Sequence, residues 1–168
     1  TGSTLVCDAG TAGFSNFRMF RTNLENKKPK TEVFCFLNLA RTGMISLPEI
    51  RSEGDFDVER SRDVIEENRD LIKGVKIRAV EPLAKGVGLR AVEEAKGLAE
   101  SVGLPLMLHV GESRPRKGER DPLDQFSREA VSMLGKGDIL SHYLTWEPGR
   151  MILEDGAVYP ELPEAKKR

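Results

Sequence analysis

The sequence predicts an α/β fold on a parallel sheet, and three observations support that. Five short β-forming runs occupy positions 4–7, 33–37, 74–78, 105–109 and 138–141. A helix-like segment follows each of the first four, at a strand-to-strand spacing of about 30 residues, as βαβ units require. The chain has 168 residues, 39% of them hydrophobic, enough for one sizeable core. Five βα units make either a complete open sheet of the flavodoxin kind or part of an eight-unit barrel, and periodicity leaves both open.

Taken in order, the first strand runs into Asp8-Ala9-Gly10-Thr11-Ala12-Gly13, a glycine-rich turn leading to a helix over 15–24 with Ser15 as its cap. Gly10–Ser15 could instead cradle an anion, and Asp8 could face a pocket, but Gly-x-x-Gly is a weak signal. The second strand is followed by a long connection, 38–56. A helix over 58–71 is entered at Asp55 or Asp57 and is rich in acid–base pairs. After the third strand the clearest helix spans 86–102. There Leu89, Val92, Ala95, Leu98, Ala99 and Val102 recur at helical spacing, and Gly103 ends the run. A helix over 124–134 separates the last two strands. The remaining stretch, 143–168, reads as a second long connection that ends on a charged run without a terminal element. Lys-Lys-Pro-Lys at 27–30 and Lys166-Lys167-Arg168 read as solvated ends.

The charges nearly cancel, 26 basic against 27 acidic, which argues against an extended nucleic-acid surface. No apolar stretch approaches the roughly 18–20 residues of a membrane span, and no signal peptide is visible. Cys7 and Cys35 read as two buried free thiols in a reducing compartment, which points to the cytoplasm.

The chemistry gathers at strand ends, where parallel α/β folds place ligands and reactive groups. The chain has only two histidines, His109 and His142, and each closes an apolar strand. Their strands are neighbours, so sheet spacing of about 4.8 Å brings both imidazoles within reach of one ion. Glu112, three residues past His109, either orients it or lies in solvent. Lys76 alternates with Val75 and Ile77 and so faces the other side of its strand. It either snorkels to a carboxylate or is a lysine of depressed pKa that combines with carbon dioxide to give an anionic ligand. Arg78 shares that face and either meets a substrate carboxylate or sits in a structural ion pair. Two histidines and a lysine make three protein ligands, the usual count for a catalytic rather than a structural ion.

In this order the motifs resemble one family. They are Thr-Leu-Val-Cys-Asp-Ala-Gly-Thr-Ala-Gly, Phe-Cys-Phe-Leu-Asn-Leu-Ala, Ile-Lys-Gly-Val-Lys-Ile-Arg, Leu-Pro-Leu-Met-Leu-His-Val-Gly and Gly-Asp-Ile-Leu-Ser-His. The family is the amidohydrolase superfamily, in its dihydroorotase-like amidohydrolase/deacetylase branch, and the resemblance runs from residue 3 to about residue 160. It implies a partial (β/α)8 TIM barrel with one or two divalent ions, usually zinc. By motif, Lys76 is similar to the carboxylated bridging lysine of the family's fourth strand, His109 to the fifth-strand ligand and His142 to the sixth-strand ligand. The implied reaction is hydrolysis of an amide, cyclic amide or ester by water activated on the metal. The family's general base is an eighth-strand aspartate. Residues 1–168 would then be the central part of the barrel, strands two to six. The first strand with its His-x-His pair and the last two strands with the base would be absent, and little activity is expected from these residues alone. The segment after His142, Tyr-Leu-Thr-Trp, departs from the family's pattern.

The expected partner is a small-molecule amide or ester, with no nucleic acid or membrane. The alternative from another class is a non-catalytic five-unit α/β module that binds a small anion or a protein at Gly10–Ser15. Pairing with a second copy is a third expectation, since an open half-barrel exposes strand edges.

Overall fold

The computed structural model describes residues 2–112 and 120–168. Its strands are β1 (Leu5–Asp8), β2 (Glu32–Asn38), β3 (Ile72–Ala79), β4 (Leu106–Val110) and β5 (Ile139–Ser141). The helices are α1 (Phe17–Lys27), α2 (Val58–Glu67), α3 (Glu81–Lys85), α4 (Leu89–Ser101), α5 (Arg120–Ser132) and α6 (Glu161–Lys167). Each strand pairs in parallel with the next, in the order β1-β2-β3-β4-β5. A β–α–β crossover is right-handed, so an order that never reverses sends every connection to the same side of the sheet. A flavodoxin-like order would reverse and cover both faces. The five strands form a curled half-barrel with helices outside and a concave face inside, part of a TIM barrel.

The outward face supplies the core. Leu37, Val75, Ile77, Leu106, Leu108 and Val110 are buried in one cluster with Ile65 of α2, Ala91, Val92, Ala95 and Leu98 of α4, and Ala130 and Val131 of α5. Burying each of the larger side chains stabilises the fold by roughly 1.5–3 kcal/mol. The alanines let α4 lie close to β3, the central strand. On the concave side the Phe36 ring lies across Gly74, where an added Cβ would come within 2.0 Å of the ring. Glycine in mid-strand therefore makes room for an aromatic ring in the barrel interior.

Several boundaries differ from the expectations. Ser15 does not cap α1; its hydroxyl donates to the Arg41 carbonyl at 2.8 Å, and Asn16 takes the N-cap position. Asp57 does cap α2, accepting from the Arg60 amide at 3.0 Å, but α2 stops at Glu67 because β3 already begins at Ile72. The helix expected over 86–102 is α4, which starts only at Leu89 because Gly86 and Gly88 (φ 71°) separate it from the short α3 ahead of it. Cys35 is buried but Cys7 is exposed, because it lies on an edge strand whose neighbours Leu5 and Val6 are also open. The stretch 143–168 does contain a terminal element, α6, which Glu161 ties to Arg128 of α5 at 2.8 Å. Arg168 is exposed, as a solvated end should be, yet it is tied down. Its guanidinium donates to the carbonyls of Leu134 (2.8 Å) and Val131 (3.3 Å) where α5 ends. No helix among the described residues is long and apolar enough to cross a membrane.

Candidate metal centre

Strand register gathers the strand-end residues. Arg78 pairs with His109, His109 with Ser141, and Lys76 with Asn38 on one side and Met107 on the other. Residues in register share a face, so Lys76, Arg78, His109 and Ser141 all belong to the concave surface. Lys76 is only 2% exposed. Its Nζ donates to Ser141 Oγ at 3.2 Å, and the Ser141 hydroxyl lies 3.2 Å from the Leu108 carbonyl, to which it donates. Burial, with Arg78 nearby, pushes the Lys76 amine down to about 8, against a weaker opposing pull from Glu49.

His142 adopts a left-handed backbone (φ 67°) just past β5. That conformation is strained for a residue other than glycine, and such strain concentrates at working sites. The turn leaves its ring 4.3 Å, centroid to centroid, from the His109 ring, tilted by 51°. Burial, reinforced by Arg78, Lys76 and His142, pushes His109 down to about 3, so its ring is neutral at physiological pH. His109 Nε2 lies 3.2 Å from the Gly111 carbonyl. A carbonyl only accepts, so Nε2 carries the hydrogen and Nδ1 keeps its lone pair for a ligand.

This donor set suits a divalent cation. It combines a neutral imidazole oriented through its other nitrogen, a second imidazole beside it, and a buried amine that loses its proton near neutrality. Among the described residues no three His, Cys, Asp or Glu side chains converge.

The other sequence candidates have more local uses. Arg78 donates through Nη1 to Glu49 Oε1 at 2.5 Å, with both side chains mostly buried (12% and 6% exposed), while its buried Nε has no partner among the described residues. The pair borders a cavity of about 580 Å³ that Leu47, Glu81, Lys85 and Glu112 also line. Asp8 turns into its own loop. It accepts from the Gly10 amide (3.1 Å), the Thr11 amide (2.8 Å) and the Thr11 hydroxyl (2.6 Å), which shapes the glycine turn. Glu112 accepts from the Glu81 amide at 3.4 Å, at the start of α3. Sequence reasoning missed Ser141, Glu49 and Asn38. Ser141 was within reach, because parallel register with His109 places it on the concave face. Glu49 lies in a long loop that carries no periodic signal.

No protein-family model matches the chain. It is 31% identical over 157 residues to a deacetylase from Agrobacterium fabrum, covering 92% of this chain and 36% of the relative. A deacetylase from Brucella anthropi gives the same identity and coverage. One from Enterococcus faecalis is 30% identical over 142 residues, 84% of this chain and 35% of the relative. The chain thus spans about a third of the length of the curated relatives it matches. Among solved structures, a dihydroorotase superposes with a TM-score of 0.83 at 30% identity, covering 98% of this chain and 50% of that one. An adenine deaminase superposes with a TM-score of 0.81 at 25% identity, covering 98% and 42%. Similarity in sequence and in fold, both over most of its length, makes this chain an amidohydrolase-like partial barrel.

Proposed function

We propose that this chain carries part of the active site of a metal-dependent hydrolase acting on an amide, cyclic amide or ester bond, with Lys76, His109 and His142 as ligands of one or two divalent ions, zinc first among them. The observation that supports this best is the convergence of a buried lysine and two adjoining imidazoles on the concave face of an amidohydrolase-like barrel. When bound, such an ion acidifies water and polarises a substrate carbonyl.

The chain's own residues have distinct roles in this reading. Burial keeps the His109 ring neutral, and the Gly111 carbonyl fixes which nitrogen is free. The Lys76 amine, held down to about 8, reaches the uncharged form needed to take up carbon dioxide and become an anionic oxygen donor. The Ser141 hydroxyl fixes where that amine sits. Arg78 is assigned to a substrate carboxylate in the adjoining cavity, with Glu49 setting the plane of its guanidinium. The general base is assigned, by family resemblance, to an aspartate outside these residues, so residues 1–168 by themselves support little or no turnover. The two free cysteines fit a reducing, cytoplasmic setting.

The test is zinc content and hydrolysis of an N-acyl and cyclic-amide panel by the protein expressed from its natural gene, beside Lys76→Ala, His109→Ala and His142→Ala. Each substitution should weaken zinc binding and lower activity together. Full zinc and full turnover in His142→Ala would remove that residue from the ligand set. Full zinc and turnover in all three variants would end the metal reading.

A further inference from the structure

The glycine turn after β1 and the buried Asn38 have no part in the function proposed above, yet they meet at one place. Asn38 is 2% exposed and lies opposite Lys76 in the β2–β3 register. Its Nδ2 donates to the Gly10 carbonyl at 3.1 Å, and its Oδ1 accepts from the Ala40 amide at 3.0 Å. One side chain therefore fastens the β1–α1 turn to the β2 loop. The turn is held against the lysine stem: a Cβ at Gly10 would come 2.7 Å from Lys76 Cγ and 2.9 Å from Lys76 Cβ. Those atoms are the root of the side chain, which cannot swing aside as a flexible tip would. Gly10 also has φ 98°, a backbone that only glycine adopts freely. With Gly10 and Asn38 at its root and Ser141 at its tip, the lysine is held along its whole length.

We propose that Asn38 and Gly10 are positioning residues for Lys76, forming a wall that aims its amine at the space beside His109 and His142. The inference rests on Lys76 being a metal ligand. Groups that orient a ligand matter to the metal nearly as much as the ligand does, and losing one typically weakens affinity by about 10–100-fold.

The experiment is a zinc-affinity cycle in the protein expressed from its natural gene, read by competition with a chelating dye, with far-UV circular dichroism and a thermal melt on every variant. Asn38→Ala should weaken zinc binding by about 10–100-fold, and should cost nothing further once Lys76 is already alanine, because it acts through the lysine. Gly10→Ala removes neither Asn38 nor the carbonyl it donates to, and presses directly on the lysine stem. It should repeat the pattern, and it provides the test if Asn38→Ala does not fold. Equal losses with and without Lys76, or no loss at all, overturn the positioning role. Zinc binding in Lys76→Ala as tight as in the unsubstituted protein refutes the ligand reading itself and takes this inference with it.

Discussion

Removing the most buried charge among the described residues should stabilise the chain. Lys76 is 2% exposed, its amine's one hydrogen bond among the described residues is to a neutral serine hydroxyl, and burial holds that amine at about 8 against an ordinary 10.5. Below about 8 the folded and unfolded chains both carry the proton, and the fold bears the whole cost of burying it. Between about 8 and 10.5 only the unfolded chain is protonated, so stability rises with pH across that window. Above it the cost is gone. The conversion of 1.36 kcal/mol per pH unit puts the penalty at roughly 3 kcal/mol at pH 7. Lys76→Met keeps most of the stem's volume and no charge, and Ser141 retains its bond to the Leu108 carbonyl. The assay is urea unfolding with a chelator present and carbon dioxide excluded, at pH 7 and pH 10.5. The variant should be the more stable by roughly 3 kcal/mol at pH 7, narrowing to under about 1 kcal/mol at pH 10.5. A gap independent of pH, or a destabilised variant at pH 7, would falsify the account of an unpaired buried amine.

Other perturbations test the scaffold around it. Gly74→Ala places a methyl within 2.0 Å of the Phe36 ring and should cost about 1–3 kcal/mol in urea unfolding, with partial recovery in a Gly74→Ala/Phe36→Leu double variant. Asp138 accepts from the Leu106 amide (2.8 Å), the Gly135 amide (2.8 Å) and Lys96 Nζ (2.5 Å), tying α4, β4 and the turn before β5 together. Asp138→Ala strands the two amides and leaves Lys96 with Glu100 alone, and should destabilise by about 2–4 kcal/mol, read as a lowered melting temperature. Burial pushes the Cys35 thiol up to about 12 while Cys7 is exposed, so a maleimide should label the native protein once and the unfolded protein twice. Two rapid additions to the native state would place Cys35 at the surface.

Much of the fold was readable from local pattern. All five strands fall where β-forming runs stand, because a strand buried on its helix side must be apolar at alternate positions whatever surrounds it. Asp57 as a cap and Gly103 as a helix end also follow from near-neighbour chemistry. α6 was missed because seven residues with few apolar positions carry little periodicity. What holds α6 is Arg128, with Arg168 closing the end of α5 beside it, and both partners are more than 30 residues away along the chain. α3 and the glycines that end it were missed for a similar reason. Gly86 is needed where the Arg51 carbonyl passes 2.2 Å from the position of its absent Cβ, a contact made by a distant loop.

The candidate site divides in the same way. Residue type and strand period determined by themselves that Lys76, His109 and His142 stand at or near strand ends, with Lys76 turned from the helix-packed face, since both depend only on neighbouring residues. The tertiary structure decided between an open sheet and a curled one, because strand order is a matter of long-range pairing. It also decided that Arg78 meets Glu49 across a loop, and that Gly10 and Asn38 close on the lysine stem. Those contacts join segments up to 66 residues apart in sequence (Gly10 and Lys76), at distances set by the winding of the sheet, which no local pattern encodes.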